Sequence, residues 1–286
     1  MRENLSELWR FRGLLRQLIA RDLKVRYKNS IFGFLWSIVP PLLQVVVYSF
    51  LVRILLHIHA PNYSAYLLCG LIPWTFFSVA VLDASQSLLI FFPVIKKVYL
   101  PREIIPLAIV VSNFVHFMLG WAVFFGAFYV FAPLLGIHIP VQTGLLWFPV
   151  ITLIQFILVL GVGLWVAALN VFYEDVKFIL QTLFGLLLFV FPVMFVTESV
   201  YYSRLNAAHP WMFKLYMLNP IASIIDAYRK TLLQPVPRGS FNMKPSNMPL
   251  PLNWPEFWGS ALISVLILVA SYAYFNSRKW KFVERP

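Results

Sequence analysis

Charged residues are scarce in this sequence: Asp, Glu, Lys and Arg make up 12% of its 286 residues, while 60% are hydrophobic. Soluble globular proteins carry about 25% charged residues, so the composition excludes an ordinary soluble domain. The charge that is present is unbalanced, with 23 basic against 11 acidic residues. Because the cations cluster beside hydrophobic runs, anionic lipid explains them better than nucleic acid does. The composition predicts an integral membrane protein.

Cysteine is nearly absent, and so are the usual catalytic motifs. Cys69 is the single cysteine, which excludes a disulfide within the chain. No glycine is followed by Lys-Ser or Lys-Thr, so there is no P-loop to hold nucleotide phosphates. His57 and His59 form an isolated pair, and no group of His, Cys and acidic residues has metal-ligand spacing. We therefore predict no catalytic residue, no metal site and no cofactor in this chain.

Long stretches without any charge are the dominant feature that is present. They cover residues 29–52, 54–82, 104–173, 178–197 and 257–277. A helix needs about 20 residues to cross the hydrocarbon core of a membrane, so the longest run must hold two crossings. The sequence therefore predicts an all-α membrane protein with six transmembrane helices. These are expected at residues 31–56, 66–91, 104–131, 145–171, 178–196 and 257–275.

A cationic segment precedes the first crossing. Residues 21–28 hold four cations and one acid, and the next basic residue is Arg53. Lysine and arginine are enriched on the cytoplasmic side of short flanking segments, which places the start of the chain in the cytoplasm. With six crossings, sixteen of the 23 basic residues fall on that side. Both termini, including the basic tail 276–286, are therefore expected in the cytoplasm.

The segment before the first crossing, residues 1–29, predicts an amphipathic helix. At about 100° per residue, Leu15 and Ile19 share an apolar face, whereas Gln17 and Lys24 lie opposite. That pattern is typical of a helix lying in the membrane interface. It serves either as a simple anchor or, with its polar face, as a docking surface for a partner.

The segment between the last two crossings, residues 197–256, is richer in cations than an outer loop should be. Within it, residues 211–233 are apolar enough to enter the interface but too charged to cross. They predict a re-entrant or interfacial helix packed on the bundle. Residues 234–256 hold six prolines and predict an irregular external loop. The transmembrane domain as a whole is expected to cover residues 30–280.

Asp83 is a carboxylate inside the second predicted crossing, with Gln86 one turn away. A carboxylate there costs at least ~2.5 kcal/mol on insertion scales, so it normally faces a cavity or a partner. Asp83 and Gln86 are candidates for pore-facing polar residues, and Asp83 could equally join two helices. The alternative is that Asp83 sits near cytoplasmic headgroups, because Lys96 and Lys97 follow closely.

Aromatic residues are abundant, at 17% of the chain. Sugar rings pack their C–H faces on aromatic rings, so an aromatic-lined passage would suit a glycan. Trp, Tyr and Phe also populate the interfaces of any membrane protein, so no single aromatic residue is assigned as a binder.

Four motifs in this order resemble one known family. They are RDLKVRYKNSIFGFLWSIVPPL at 21–42, IKKVYLPREIIPLA at 95–108, LNVFYEDVKFILQ at 169–181 and NPIASIIDAYRKTLL at 219–233. Together with six crossings, they resemble the permease subunit of the ABC-2 polysaccharide exporters, which export O-antigens, capsules and teichoic acids. The resemblance covers residues 5–280.

This resemblance implies an ABC-2 permease fold and a homodimeric channel in the bacterial inner (plasma) membrane. It also implies two copies of a separate ATPase subunit, which would bind the ATP and Mg²⁺ that this chain cannot. The implied cargo is a polyprenyl-diphosphate-linked polysaccharide, as in lipopolysaccharide biosynthesis. The residues that the resemblance places at the ATPase contact or the channel entrance are Arg21, Asp22, Lys24, Arg26, Tyr27, Lys28, Lys96, Lys97, Pro101, Arg102, Glu103, Glu174 and Asp175.

We interpret the cations of these segments as groups that gather the lipid diphosphate at the cytoplasmic mouth by charge-assisted hydrogen bonds. Two other functions stay open from the sequence. An ABC-2 permease for lipid or drug efflux would share the fold and the partner and differ only in cargo. A membrane enzyme of glycan assembly is disfavoured, because the first outer loop, residues 57–64, has no carboxylate.

Overall fold

The structure is a computed structural model that describes residues 9–26, 28, 33, 39–55, 63–97, 100–131, 142–237, 239–240, 244 and 246–282. All regular structure in these residues is helical. The α-helices are α1 Arg12–Arg26, α2 Val39–Phe50, α3 Tyr63–Ile90, α4 Phe92–Ile95, α5 Ile104–Phe125, α6 Phe148–Phe172, α7 Val176–Val190, α8 Thr197–Tyr201, α9 Arg204–Ala208, α10 Trp211–Leu218, α11 Pro220–Leu232 and α12 Trp254–Arg278. Short π-helical or 3₁₀ turns extend or precede four of them, at Leu51–Leu55, Gly126–Phe131, Thr143–Trp147 and Lys279–Phe282.

Four helical segments are long and apolar enough to cross a membrane. They are Tyr63–Ile90, Ile104–Tyr129, Thr143–Phe172 and Trp254–Phe282. The prediction of an all-α, multi-pass membrane protein is therefore confirmed. The apolar helix α7 is shorter, and α2 begins just after residues that lie outside the described part of the chain. Six crossings thus remain a prediction.

The bundle has two ends. The α1 end holds α1, the described residues 91–97 and 100–103, the turn between α6 and α7, and the C-terminal 3₁₀ turn. The Phe172 and Phe282 rings meet there, with centroids 5.7 Å apart. The far end holds the start of α3, the segment α8–α11 and the start of α12, where the Trp147 and Trp254 rings lie 4.5 Å apart. Helix α7 reaches the far end, because the turn after it accepts a hydrogen bond from Tyr63 at Met194 O.

The core is built around α6, which packs against α3 and α12. Two polar side chains of α6 bind neighbouring helices within this core. Gln155 on α6 donates from Nε2 to Pro73 O on α3 at 2.8 Å, and the Thr152 and Tyr228 hydroxyls lie 3.0 Å apart between α6 and α11. A buried amide or hydroxyl without such a partner would cost free energy, so these bonds fix how the helices pair.

Residues 211–233 form two helices, whereas the sequence predicted one element. The break falls at Asn219–Pro220, because Pro220 lacks the N–H that would continue α10 and instead occupies the first turn of α11. Asn219 caps α11, its Oδ1 accepting from Ile221 N at 3.1 Å. Helix α11 packs against α3, α6 and α12, and nearly all its residues are buried. The polar residues near its end are therefore carried into the bundle.

A glycine on α6 allows the close approach of α12. A Cβ placed on Gly161 would lie 2.8 Å from Leu268 Cα and 2.9 Å from Leu268 N, which are backbone atoms that cannot move away alone. A Cβ on Gly185, in the middle of α7, would meet nothing within 4 Å. The lack of a side chain at Gly161 is therefore what lets α12 approach α6 closely at this point.

We expect Gly161→Ala to destabilise the folded protein and Gly185→Ala to leave it unchanged or slightly more stable. Both changes gain the same helix propensity, about 1 kcal/mol, so the difference between them reports the contact with α12 alone. Thermal unfolding of the purified protein in detergent checks this. Equal melting temperatures for the two variants would contradict the close approach.

Candidate functional site

A polar cluster at the α1 end joins α1 to the bundle. Arg26 Nη2 donates to Asp83 Oδ2 at 2.9 Å, and Arg26 Nη1 donates to Asn113 Oδ1 at 3.1 Å. Asn113 Nδ2 in turn donates to Asp83 Oδ2 at 3.0 Å. Asp22 lies 3.6 Å from Arg26 Nη2 and accepts a hydrogen bond from Ser112. We call these five residues the Arg26 cluster.

The Arg26 cluster connects three helices, because its members come from α1, α3 and α5. Asn113 is buried, while the Arg26 and Asp83 side chains are 29% and 33% exposed. An amide can donate and accept at once, so Asn113 holds the cation and the carboxylate in register. Of the alternatives for Asp83, the structure favours the helix-joining one. Gln86 is half-buried on the same helix, and its pore-facing role stays a prediction.

A cavity of about 250 Å³ adjoins this cluster. Arg26, Thr75, Asn113 and His116 supply its polar groups, and the rest of the wall comes from apolar residues of α3 and α5 with Pro40 of α2. The cavity therefore opens between α1 and the transmembrane helices, where movement of α1 would change its shape.

The other predicted residues of the cationic segment point outward. Lys24 and Lys28 are exposed, and the Arg21 guanidinium lies 4.8 Å from the centroid of the Phe91 ring. Tyr27 lies outside the described residues, as do His57 and His59. The polar face of α1 thus divides into residues that bind the bundle, Asp22 and Arg26, and exposed residues that are available to a partner.

The connection between α3 and α5 meets the C-terminal turn. Glu103 is buried, and its Oε1 accepts from Lys279 Nζ at 3.2 Å. The Arg102 guanidinium lies about 6 Å from the Trp280 and Phe282 rings. Partial burial lowers the pKa of Arg102, an effect that the Glu103 carboxylate opposes. Arg102 is thus held by the tail, a contact that the sequence did not indicate.

The remaining predicted residues also lie at the α1 end. Lys96 and Lys97 are exposed, with Lys96 Nζ 4.6 Å from the Phe92 ring centroid, whereas Pro101 is buried. Glu174 and Asp175 are exposed in the turn between α6 and α7. The structure therefore brings the described members of the predicted set to one end of the bundle. Their roles in coupling stay predictions.

Arg229 is the residue that the sequence reasoning missed. It is 2% exposed, and its guanidinium donates to four backbone carbonyls: Nε to Tyr66 O at 3.1 Å, Nη1 to Phe195 O at 3.1 Å and to Pro192 O, and Nη2 to Val193 O. It also lies 3.9 Å from the Tyr66 ring centroid. The available signal was an arginine in the largely apolar stretch IASIIDAYRKTLL at 221–233, because a charge that is buried is costly unless paired.

Three of the four acceptors of Arg229 come from a non-helical turn. Helix α7 ends at Val190, and residues 191–195 do not continue it. Carbonyls beyond a helix end need donors, and a planar guanidinium offers five in fixed directions. Arg229 therefore fastens α11 to α3 and to the turn after α7. Among the described residues, no group of three or more His, Cys, Asp or Glu side chains could hold a metal ion.

Comparison with known proteins gives consistent matches. The ABC-2 type transporter family matches residues 13–233, from α1 to the end of α11. An O-antigen export system permease protein RfbA of Klebsiella pneumoniae is 28% identical over 284 residues, 99% of this chain and 98% of the relative. The protein of the same name from Myxococcus xanthus is 28% identical over 278 residues, 97% of each chain. A further Klebsiella pneumoniae protein of that name is 26% identical over 284 residues.

Proposed function

The chain belongs to the ABC-2 type transporter family, and on that basis we propose that it is the membrane permease subunit of a polysaccharide exporter. The observation that carries this proposal is near-full-length similarity to proteins named for O-antigen export. A transport permease needs no catalytic residues of its own, in agreement with the absence of a P-loop from the sequence. A lipid or drug cargo, and an enzyme of glycan assembly, are less well supported by these relatives.

We propose that a separate ATPase subunit docks at the α1 end. Export against a gradient needs energy, and a chain without a P-loop must obtain it from a partner. The exposed residues Lys24, Lys28 and Lys97 lie there with the acidic turn Glu174–Asp175, which offers a partner both signs of charge. Two permease chains and two ATPase chains, with both permease termini in the cytoplasm of the inner membrane, would complete the transporter.

The proposed cargo is a polysaccharide carried on a polyprenyl diphosphate. Its diphosphate would be drawn to the cations at the α1 end, because ammonium and guanidinium groups form strong hydrogen bonds to phosphate oxygens. Lys24, Lys28, Lys96 and Lys97 are exposed and suited to this, whereas Arg26 is engaged by Asp83.

Deletion of the gene tests the proposed function. We expect the deletion strain to lose its surface polysaccharide and to accumulate lipid-linked glycan on the cytoplasmic side of the membrane, with drug susceptibility unchanged. The wild-type gene should restore export, whereas it should fail to do so beside an ATPase subunit whose P-loop lysine is replaced. Gel electrophoresis of the surface polysaccharide and extraction of the lipid-linked glycan are the measurements.

Two results would redirect the assignment. Unchanged surface polysaccharide together with altered drug susceptibility would support lipid or drug efflux. Glycan synthesis by the purified chain in detergent, without an ATPase subunit, would instead support a membrane enzyme.

A further inference from the structure

A cleft of about 380 Å³ lies at the far end of the bundle, between α8, α10, α11 and the start of α12. Tyr201 and Trp254 stand on its wall, and both are partly exposed. Asp226 and Lys230 of α11 supply the charged groups, and Asn253 adds an amide. The cleft is thus walled by aromatic rings and carries three different polar groups.

The Asp226 carboxylate is buried with few hydrogen-bond partners. It is fully buried, and apart from the ion pair between its Oδ2 and Lys230 Nζ at 3.1 Å, no described residue donates a hydrogen bond to either carboxylate oxygen. A buried carboxylate normally accepts several hydrogen bonds, because each missing one costs free energy. The acceptor capacity of Asp226 is therefore left for something that enters the cleft.

Lys230 is held from two further sides. Its Nζ donates to Pro251 O at 3.2 Å and lies 3.9 Å from Glu198 Oε1, so the side chain cannot swing out of the wall without losing both contacts. The ion pair between Lys230 and Asp226 fixes the spacing of a donor and an acceptor at the cleft wall. A ligand with neighbouring hydroxyls can accept from the one and donate to the other.

The chemistry of the wall selects a class of ligand. An apolar ligand would leave the Asp226 carboxylate without a hydrogen bond, which disfavours a lipid chain. The two charged residues that line the cleft, Asp226 and Lys230, pair with each other, and Glu198 beside Lys230 leaves the surroundings net negative, which disfavours an anionic ligand. A neutral ring with hydroxyl edges and C–H faces fits both the polar pair and the aromatic rings.

We propose that this cleft binds a pyranose ring of the exported polysaccharide at the far end of the permease. The proposal rests on the proposed function, since it takes the cargo to be a glycan. The sugar stacks against Trp254 and Tyr201, and its hydroxyls donate to Asp226 and accept from Lys230. The permease thereby holds the emerging chain at a site remote from the diphosphate.

The test measures binding of methyl glycosides of glucose, galactose, mannose and rhamnose to the assembled transporter in nanodiscs, by saturation-transfer difference NMR. We expect at least one glycoside to bind wild type, and Trp254→Leu to weaken that binding about tenfold, the loss of one ring contact. Trp258→Leu is the matched control. Trp258 is one turn further along α12, is also exposed and near Trp147, and lies outside the cleft.

A second variant tests the polar contact independently, so that the proposal can still be tested if Trp254→Leu does not fold. Asp226→Asn keeps the side-chain volume but adds a donor where the sugar hydroxyl would donate, so it should also weaken binding. Failure of all four glycosides to bind wild type would overturn the proposal, as would equal binding by the Trp254 and Trp258 variants. If wild type restores surface polysaccharide in the deletion strain yet binds no glycoside, the cleft proposal alone fails. If deletion leaves surface polysaccharide intact, the proposed function fails.

Discussion

Replacing Arg229 by leucine should prevent the protein from accumulating in a folded form. The substitution removes four donors from a buried site: it breaks the bond to Tyr66 O on α3 and takes away the donor that Arg229 supplies to the carbonyls of Pro192, Val193 and Phe195 beyond the end of α7. Hydrogen bonds to charged groups contribute about 1.5–3 kcal/mol each to stability. The whole free energy of unfolding of a natural protein is only about 5–15 kcal/mol. The loss is therefore comparable with the whole free energy of unfolding.

The measurement is the yield of monodisperse protein after detergent extraction, followed by size-exclusion chromatography. Arg204→Leu is the matched control, because it removes the same charge from an exposed position on α9 in the same segment. It should be extracted in wild-type yield. Wild-type yield from the Arg229 variant would contradict the assigned role.

Arg229→Lys separates charge from geometry. A lysine ammonium has three donors on a single atom, so it cannot reach acceptors spread over α3 and the turn after α7 as a guanidinium does. The guanidinium also packs directly against Gly70 of α3, where a Cβ would lie only 2.5 Å from Arg229 Nη2. We therefore expect the lysine variant to recover only part of the yield.

The sequence predicted what depends on local composition and failed where distant residues meet. Uncharged runs located the apolar helices, because a membrane-crossing helix must be apolar along its whole length. The break at Pro220 could also have been anticipated, since proline favours the first turn of a helix. The count of crossings was harder, because α7 is too short to be assigned by length.

The contacts of Arg229 and Asp83 could not be predicted in this way. Arg229 meets carbonyls 34 to 163 positions away in the chain, and Asp83 meets Arg26 and Asn113 from two other helices. The spacing of apolar residues and the charge of such a residue show that it needs a partner. Only the packed bundle shows which residue that partner is. The polar pair Ser112–Asn113, inside an apolar run, was the available signal for the Arg26 cluster.

Exchanging the charges of Arg26 and Asp83 should show that α1 is fastened to the bundle by this pair during export. We expect R26D and D83R each to reduce surface polysaccharide at least about tenfold, because like charges would then face each other across α1 and α3. The double variant should recover much of the loss. Asn113 can turn its amide to donate to the new carboxylate and accept from the new guanidinium.

Recovery should be partial and specific. In the double variant the carboxylate at position 26 lies one turn from Asp22, so a repulsion remains that wild type does not have. K24D combined with D83R is the control, because Lys24 is on the exposed side of α1 and should give no recovery. Membrane levels of each variant must match wild type for the comparison to report transport. If R26D with D83R is no better than either single variant, α1 is not held by this pair, and movement of α1 relative to α3 would have to be controlled by other contacts.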